Sequence, residues 1–353
     1  MRMGRRNSVR IARSRAHYQR GWISVIAEEV YDLILDDLFI RADHLVPGSS
    51  VFLKLEGLNP AGSIKLKTAV ALVRQAEKSG REFPRTRLIE STSGNLGVAL
   101  AMVCAAKGYR LSCVTDPNAN AQSVRLMKAL GAEVVVIDRR DGNGGFLQSR
   151  IDYIGERLLR EPDTYWLNQY ANPAGPWAHR EHTGRSIFEE IGHVDHVFIG
   201  AGTTGTLMGC AEFFRQHSPD TRIIAVDSVG SVTFGGPAAR RHIPGLGTSR
   251  RPEILDERLV DEVVMVPESA SVEACRMLAE ERGLLLGGSS GTVLAAVIEK
   301  SKDIPEGSVV VALSPDFGER YLETVYDDDW VADRWPEMQH PEIPVISRVR
   351  ARA

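Results

Sequence analysis

The sequence predicts an α/β protein made of two doubly wound parallel-sheet domains. Short runs rich in Val and Ile alternate with amphipathic runs over most of the chain. The β-type runs are continuously apolar, as expected of strands covered by helices on both faces. The length of 353 residues suits about two domains, at roughly 100–200 residues each. In such folds a ligand sits in the crevice at the carboxyl ends of the strands.

Taken in order, "SVFLKLEG" (50–57) reads as a strand and "KTAVALVRQAEKSG" (67–80) as a helix stopped by Gly80. "RLIEST" is a strand, "NLGVALAMVCAAKG" a helix ending at Gly108, and "RLSCVTD" a strand. "AQSVRLMKALGA" is a helix and "EVVVID" a strand. After a middle helix come the strand "HVFIGAG", the helix "GTLMGCAEFFRQH" and the strand "RIIAVDS". "DEVVMVP", the helix "SVEACRMLAEERG" and "GSVVVALS" continue the pattern. No internal repeat or low-complexity segment interrupts it.

Composition narrows the function classes. A net charge of −3 gives no global attraction to nucleic acid or a membrane surface. No apolar run reaches the roughly 18–20 residues of a membrane span. Cys104, Cys113, Cys210 and Cys275 are far apart and form no CxxC pair, which points to reduced thiols in a cytoplasmic protein. The first 20 residues are basic and nearly free of acid, with no apolar stretch behind them. They read as a disordered leader.

The chemistry concentrates at turns between apolar runs and helices. In "HVFIGAGTTGTLMG", Gly200, Gly202 and Gly205 satisfy G-x-G-x-x-G, and Asp227 follows 22 residues after Gly205. That spacing is the dinucleotide fingerprint with its ribose acid. The loop also supplies the hydroxyls of Thr203, Thr204 and Thr206 beside the helix-start N–H groups, a cup that suits a terminal phosphate better than a bridging pyrophosphate. "ESTSGNLG" offers Ser91, Thr92, Ser93 and Asn95 at a second helix start, where helix capping alone is the plainer explanation. "GGSSG" places Ser289 and Ser290 in a third such turn. "NPAGSIKLKTA" carries Lys65 and Lys67 just past a Gly-Ser turn. His179, His182 and His193 lack a metal-ligand spacing and read as core or solvated histidines.

Together these turns resemble the cysteine synthase family of fold-type II pyridoxal-phosphate enzymes, over roughly Ile23 to Tyr326. "NPAGSIK", "STSGNLG", "GTTGT" and "GGSSG" match the family's motifs in order, and "FGERYLET" matches its C-terminal motif. The resemblance implies pyridoxal 5'-phosphate in the cleft between two domains, bound covalently by Lys65. It implies that Asn95 meets the cofactor's 3-hydroxyl, that Gly202, Thr203, Thr204, Gly205 and Thr206 hold its phosphate, and that Ser289 faces its pyridine nitrogen. Ser91, Thr92, Ser93 and Gln169 are then the substrate-carboxylate residues. A smaller domain is expected at 59–169 and a larger one at 23–58 plus 170–326, between the leader (1–22) and a polar tail or lid (327–353). A homodimer acting on small amino acids, without nucleic acid, membrane or metal, is implied.

"LIESTSGNLGVALAM", "WLNQYAN", "IPGLGTSRRPEIL" and "DSVGSVTFG" look like one branch, the N-(2-amino-2-carboxyethyl)-L-glutamate synthases. That branch implies O-phospho-L-serine as substrate and L-glutamate as amine nucleophile. Arg240, Arg241, Arg250 and Arg251 suit such anions, and Arg250 is taken as a substrate residue. A cysteine synthase, or a non-catalytic relative of the same fold, is the alternative. Two departures stand out: Leu66-Lys67 replaces the family's usual Asp-Arg, and "EEVYDLILDDLF" lacks its N-T-P motif.

Overall fold

The computed structural model describes residues 26–142 and 144–339. The expected leader and the end of the expected tail lie outside the described residues. Two sheets organise the chain. The first has four parallel strands in the order β5-β4-β3-β6: β3 (Arg87–Ser91), β4 (Arg110–Thr115), β5 (Glu133–Val136) and β6 (Thr164–Trp166). The second has six strands in the order β1-β2-β10-β7-β8-β9: β1 (Phe39–Arg41), β2 (Ser50–Leu55), β7 (His196–Gly200), β8 (Arg222–Ser228), β9 (Glu262–Val266) and β10 (Val309–Ser314). All its neighbours are parallel except the β1–β2 pair. This is the doubly wound α/β class that the alternation predicts.

The central strands explain their unbroken apolar runs. Val197, Ile199, Ile223, Ala225, Val311 and Leu313 enter the core on one face of the larger sheet. Their neighbours Phe198, Ile224, Val226, Val310 and Ala312 enter the core on the other. Successive strand side chains point to opposite faces, so a strand covered on both sides must be apolar at every position. Around the smaller sheet a third core gathers Leu88, Leu111 and Cys113 with helices α1 (Lys65–Glu77) and α2 (Asn95–Lys107). Gly108 ends α2 in the left-handed conformation (φ 68°), where a side chain would be strained.

Helix α3 (Ala121–Ala129) follows β4. The single middle helix expected from the sequence is three: α4 (Leu147–Arg160), α5 (Ala174–His179) and α6 (Arg185–Ile191), with a π-helical turn at Arg180–Gly184 joining the last two. Helix α7 (Gly205–His217) matches its predicted span. Helices α8 (Glu268–Arg282) and α9 (Gly288–Lys300) are linked by the apolar run Leu284–Leu286, expected to be strand-like before "GGSSG". Only Leu286 bridges, to Phe317. Four residues, 284–287, lie between the α8 cap at Gly283 and the start of α9, and beyond that single bridge they pair with no strand among the described residues.

The tail also differs from a purely polar one. Helix α10 (Asp328–Ala332) and the turn after it bring Val331, Trp330, Trp335 and Met338 against Ile243, Val272 and Cys275. Its acidic residues stay on the outer side, and Asp327 caps the helix through Trp330 N–H.

Burial also accounts for the departure at Leu66-Lys67. Leu66 is fully buried in the core around the smaller sheet. Lys67 is buried too, and its ammonium meets Glu56 at 2.7 Å, Thr183 Oγ1 at 3.1 Å and the carboxylate of Asp36. Asp36 comes from the segment that lacks the N-T-P motif, so the two departures face each other. Lys54, fully buried, completes the network 3.4 Å from Glu56.

Candidate active site

Helix α1 begins at Lys65, whose side chain lines a cavity with Gly202, Thr203, Thr204, Gly205 and Thr206. Gly245, Leu246, Leu313 and Pro315 line it as well. The cavity lies at the carboxyl end of β7, where the strand–helix turn opens. No hydrogen-bond partner holds the Lys65 amine among the described residues. Burial pushes its pKa down, and the nearby Asp316 charge opposes that only in part. A less basic amine is a better nucleophile and proton acceptor near neutral pH.

The glycine-rich turn is shaped for close approach. A Cβ at Gly202 would stand 2.9 Å from the Gly245 carbonyl oxygen. Thr204 caps α7 with φ 65°, one of two non-glycine residues with positive φ among those described. The other is Asn168, beside Gln169. Backbone held in this sparsely populated region clusters at functional sites. The Thr204 hydroxyl is buried without a partner, ready for a ligand. Asp227, which matched the dinucleotide pattern, is fully buried and accepts from Ser228 N–H at 2.7 Å. It belongs to the interior.

The second turn mixes capping with recognition. Thr92 Oγ1 accepts from Gly97 N–H at 3.0 Å, which satisfies a first-turn donor of α2. The Ser91 hydroxyl is buried without a partner. Gln169 Nε2 donates to the Ser91 carbonyl at 2.9 Å, tying the two segments together. Beneath them Glu90 accepts from the N–H groups of Ser91 and Gln169, and burial pushes its carboxyl up to about 8.

Sequence reasoning missed several of the residues around these turns. Arg150, on α4, is buried, donates to Ser93 Oγ at 3.0 Å and lies 3.3 Å from Asp116. Its Nε has no partner. Nothing in an amphipathic helix distinguishes this arginine from the exposed Arg160. His179, read from sequence as core or solvated, is in the core, within hydrogen-bond distance of Thr68 Oγ1 (2.9 Å), Thr183 Oγ1 (3.1 Å) and Thr206 Oγ1 (3.3 Å). Burial first, then the charges of Lys67 and Lys65, holds it neutral. Asp316 and Arg320, after β10, reach Asn95 and Ser289, as described below. "FGERYLET" was the available signal, but it assigned neither residue a role.

Arg250 pairs with Glu253 at the rim, and Arg251 with Glu257. Arg241 is largely buried, donates to the Leu246 carbonyl at 3.0 Å and keeps its Nε free. Burial raises the pKa of the Tyr170 hydroxyl, while the charges of Arg150, Arg241 and Arg250 all draw it back. Positive charge from two segments, α4 and the loop after β8, therefore lies near Tyr170, with the Glu90 carboxyl acting against it. A second cleft, at the amino-terminal end of the larger sheet, is lined by His196, Arg222, Glu262 and Lys300. Its charges are largely matched internally, with Glu262 3.2 Å from Arg222 and 2.9 Å from Lys300.

Residues 38–316 match the family described as pyridoxal-phosphate dependent enzyme. The chain belongs to this family. Pyridoxal-phosphate dependent enzymes of the cysteine synthase kind share its fold. O-ureido-L-serine synthase superposes with a TM-score of 0.80 at 32% identity, over 87% of this chain and 100% of the other. An O-acetylserine dependent cystathionine beta-synthase from Helicobacter pylori gives 0.78 at 30%, over 85% and 98%. Cysteine synthase from Entamoeba histolytica gives 0.80 at 30%, over 86% and 91%.

The residues present fit the cofactor. An unpaired, less basic lysine amine, a glycine cradle a Cβ would fill, and an orphaned hydroxyl on the helix start line one cavity. They suit a carbonyl at one end and a phosphate at the other. Among the described residues, no helix is long and apolar enough to cross a membrane.

Proposed function

We propose that this enzyme performs β-replacement on O-phospho-L-serine with the amine of L-glutamate as nucleophile. The products are N-(2-amino-2-carboxyethyl)-L-glutamate and phosphate, which would supply 2,3-diaminopropionate for siderophore or antibiotic biosynthesis. The observation that supports this reading is the buried Arg150 guanidinium on Ser93, joined by Arg241 and Arg250 around Tyr170. A phosphorylated substrate and a dicarboxylate nucleophile both need more positive charge than a neutral ester and sulfide would.

In this reading Lys65 binds pyridoxal phosphate, and Gly202, Thr203, Thr204, Gly205 and Thr206 hold the phosphate. Asn95 meets the 3-oxygen and Ser289 the ring nitrogen. When bound, the cofactor supplies the electron sink for charge leaving the α-carbon. Ser91, Thr92, Ser93 and Gln169 orient the substrate carboxylate. The Lys65 amine takes the α-proton as general base. The Cβ–O bond breaks with its electron pair on phosphate, near Arg150. The glutamate nitrogen then forms the Cβ–N bond and gives up one proton to the released phosphate, and Lys65 returns a proton to Cα. The enzyme acts as a cytoplasmic homodimer on small amino acids.

The test is mass spectrometry of products from O-phosphoserine with a panel of amino acids, against O-acetylserine with sulfide. A coupled product with glutamate, weakened at least about tenfold in kcat/KM by Arg150→Gln, is expected. Much faster turnover of O-acetylserine with sulfide would favour the second reading, a cysteine synthase. The kinship with the Entamoeba histolytica cysteine synthase favours that alternative.

A further inference from the structure

The loop after β10 belongs to the larger sheet, yet its side chains grip elements around the smaller one. Arg320 Nη1 donates to Asn95 Oδ1 at 2.5 Å, and its Nη2 donates to the Ala61 carbonyl at 2.7 Å. Its own carbonyl accepts from Asn120 Nδ2 at 3.0 Å. Asp316 Oδ2 accepts from Asn95 Nδ2 at 2.7 Å and from the Tyr321 hydroxyl at 2.5 Å. Ser289 Oγ lies 3.5 Å from Asp316 Oδ1. Both ends of the Asn95 carboxamide are therefore engaged by charged groups.

This bracketing removes an ambiguity that a free asparagine would have. Turned the other way, the amide would set its NH2 against the guanidinium and its oxygen against the carboxylate. Either mismatch forfeits a charge-assisted hydrogen bond. With Oδ1 on Arg320 and one Nδ2 hydrogen on Asp316, a single donor is left over: the second Nδ2 hydrogen, which has the Tyr321 hydroxyl as its neighbour in this structure.

We infer that Asp316 and Arg320 are positioning residues that lock the Asn95 carboxamide as a donor toward the cofactor's 3-oxygen. The inference rests on the reading that Asn95 faces that oxygen. It makes the contact depend on both halves of the molecule, because Asn95 stands on α2 while its clamp follows β10. The Arg320 contact with Ala61 ties the loop leading to Lys65 into the same clamp.

The test is a double-mutant cycle on the full chain, with Asn95→Ala, Arg320→Gln and the pair, plus Arg320→Lys and Asp316→Asn. The readouts are the dissociation constant for pyridoxal phosphate, the visible absorbance of the bound cofactor and the melting temperature of the apo-protein. Arg320→Gln should weaken cofactor binding about tenfold and shift the absorbance bands, the loss expected for one charge-assisted hydrogen bond. The same change on Asn95→Ala should have almost no further effect, since coupled neighbours are non-additive. Arg320→Lys should fall between, as a lysine can hold only part of the fork. Additive effects, or effects confined to the apo melting temperature, would overturn the clamp and leave Arg320 a structural residue. An Asn95→Ala protein with unchanged affinity and spectrum would instead sink the assignment of Asn95 to the cofactor. If Arg320→Gln does not fold, Asp316→Asn and Arg320→Lys are read in the same cycle.

Discussion

Lys65 and Lys67 stand two positions apart on the first turn of one helix, and their surroundings drive them in opposite directions. Residues two apart on a helix lie about 200° around its axis, so their side chains leave it in nearly opposite directions. Lys65 looks into the cleft, has no hydrogen-bond partner among the described residues, and has its pKa pushed down by burial. Burial acts on Lys67 as well, but the carboxylates of Glu56 and Asp36 outweigh it, and its pKa is raised. A buried cation without a partner is biased toward a neutral amine, whereas one between two carboxylates is a fixed charge. The first condition is useful for chemistry and the second for holding elements together.

The largest effect expected from this contrast is on function at Lys65. Lys65→Ala should abolish the covalent absorbance band of the cofactor and lower turnover on the order of a thousandfold or more. The melting temperature of the apo-protein should barely move, since no hydrogen bond is lost. The contrast breaks if Lys65→Ala unfolds the chain or keeps the band.

Lys67 should behave the other way. Lys67→Met leaves Glu56 with Lys54 alone and the partly buried Asp36 with His182 alone, and breaking a buried pair costs up to about 3–5 kcal/mol. Urea unfolding should show that loss, while the protein that remains folded keeps the absorbance band. Replacing Glu56 by Gln together with Lys67→Met should recover part of the loss. Loss of the band in folded Lys67→Met protein would mean that the network sets the position of Lys65, and the two lysines would then not be independent.

The difference between the lysines was only half legible in the sequence. The strand and helix order could be read because strands buried on both faces are apolar at every position, as in "HVFIG" and "VVVALS". The Lys65 turn and the Gly202–Thr206 loop could be read because each needs glycines and hydroxyls that are adjacent in the chain. What makes Lys67 structural could not be read, since Asp36 and Glu56 reach it from separate segments. Arg150, His179 and Asp316 were hidden for the same reason: each acts on a turn far away in sequence. The short strands β1 and β6, three residues each, are defined by pairing with a neighbour, and no local pattern announces them.

A third buried charge sharpens the rule with a smaller effect. Glu90 is an acid in a setting like that of Lys65: burial outweighs its backbone donors, Trp166 and the Arg150 charge, and its carboxyl is pushed up to about 8. An acid whose pKa is higher in the folded state than in the unfolded one, 4.5, binds its proton better when folded. Its contribution to stability is therefore full below about pH 4.5 and is lost progressively as the pH rises toward about 8. The limiting slope is about 1.4 kcal/mol per pH unit. Glu90→Gln cannot ionise, so urea melts of it and of the unsubstituted protein between pH 5 and 8 should differ by that slope, the buried histidines contributing equally to both. The substitution also turns an NH2 toward one of the two backbone N–H groups that the carboxylate accepts from. That cost, about 1–3 kcal/mol for a buried donor left unpaired, is the same at every pH, so it displaces the curve without tilting it. A pH slope that is the same in Glu90→Gln as in the unsubstituted protein would mean that Glu90 is ionised in the folded protein, and would move it from the class of Lys65 to that of Lys67.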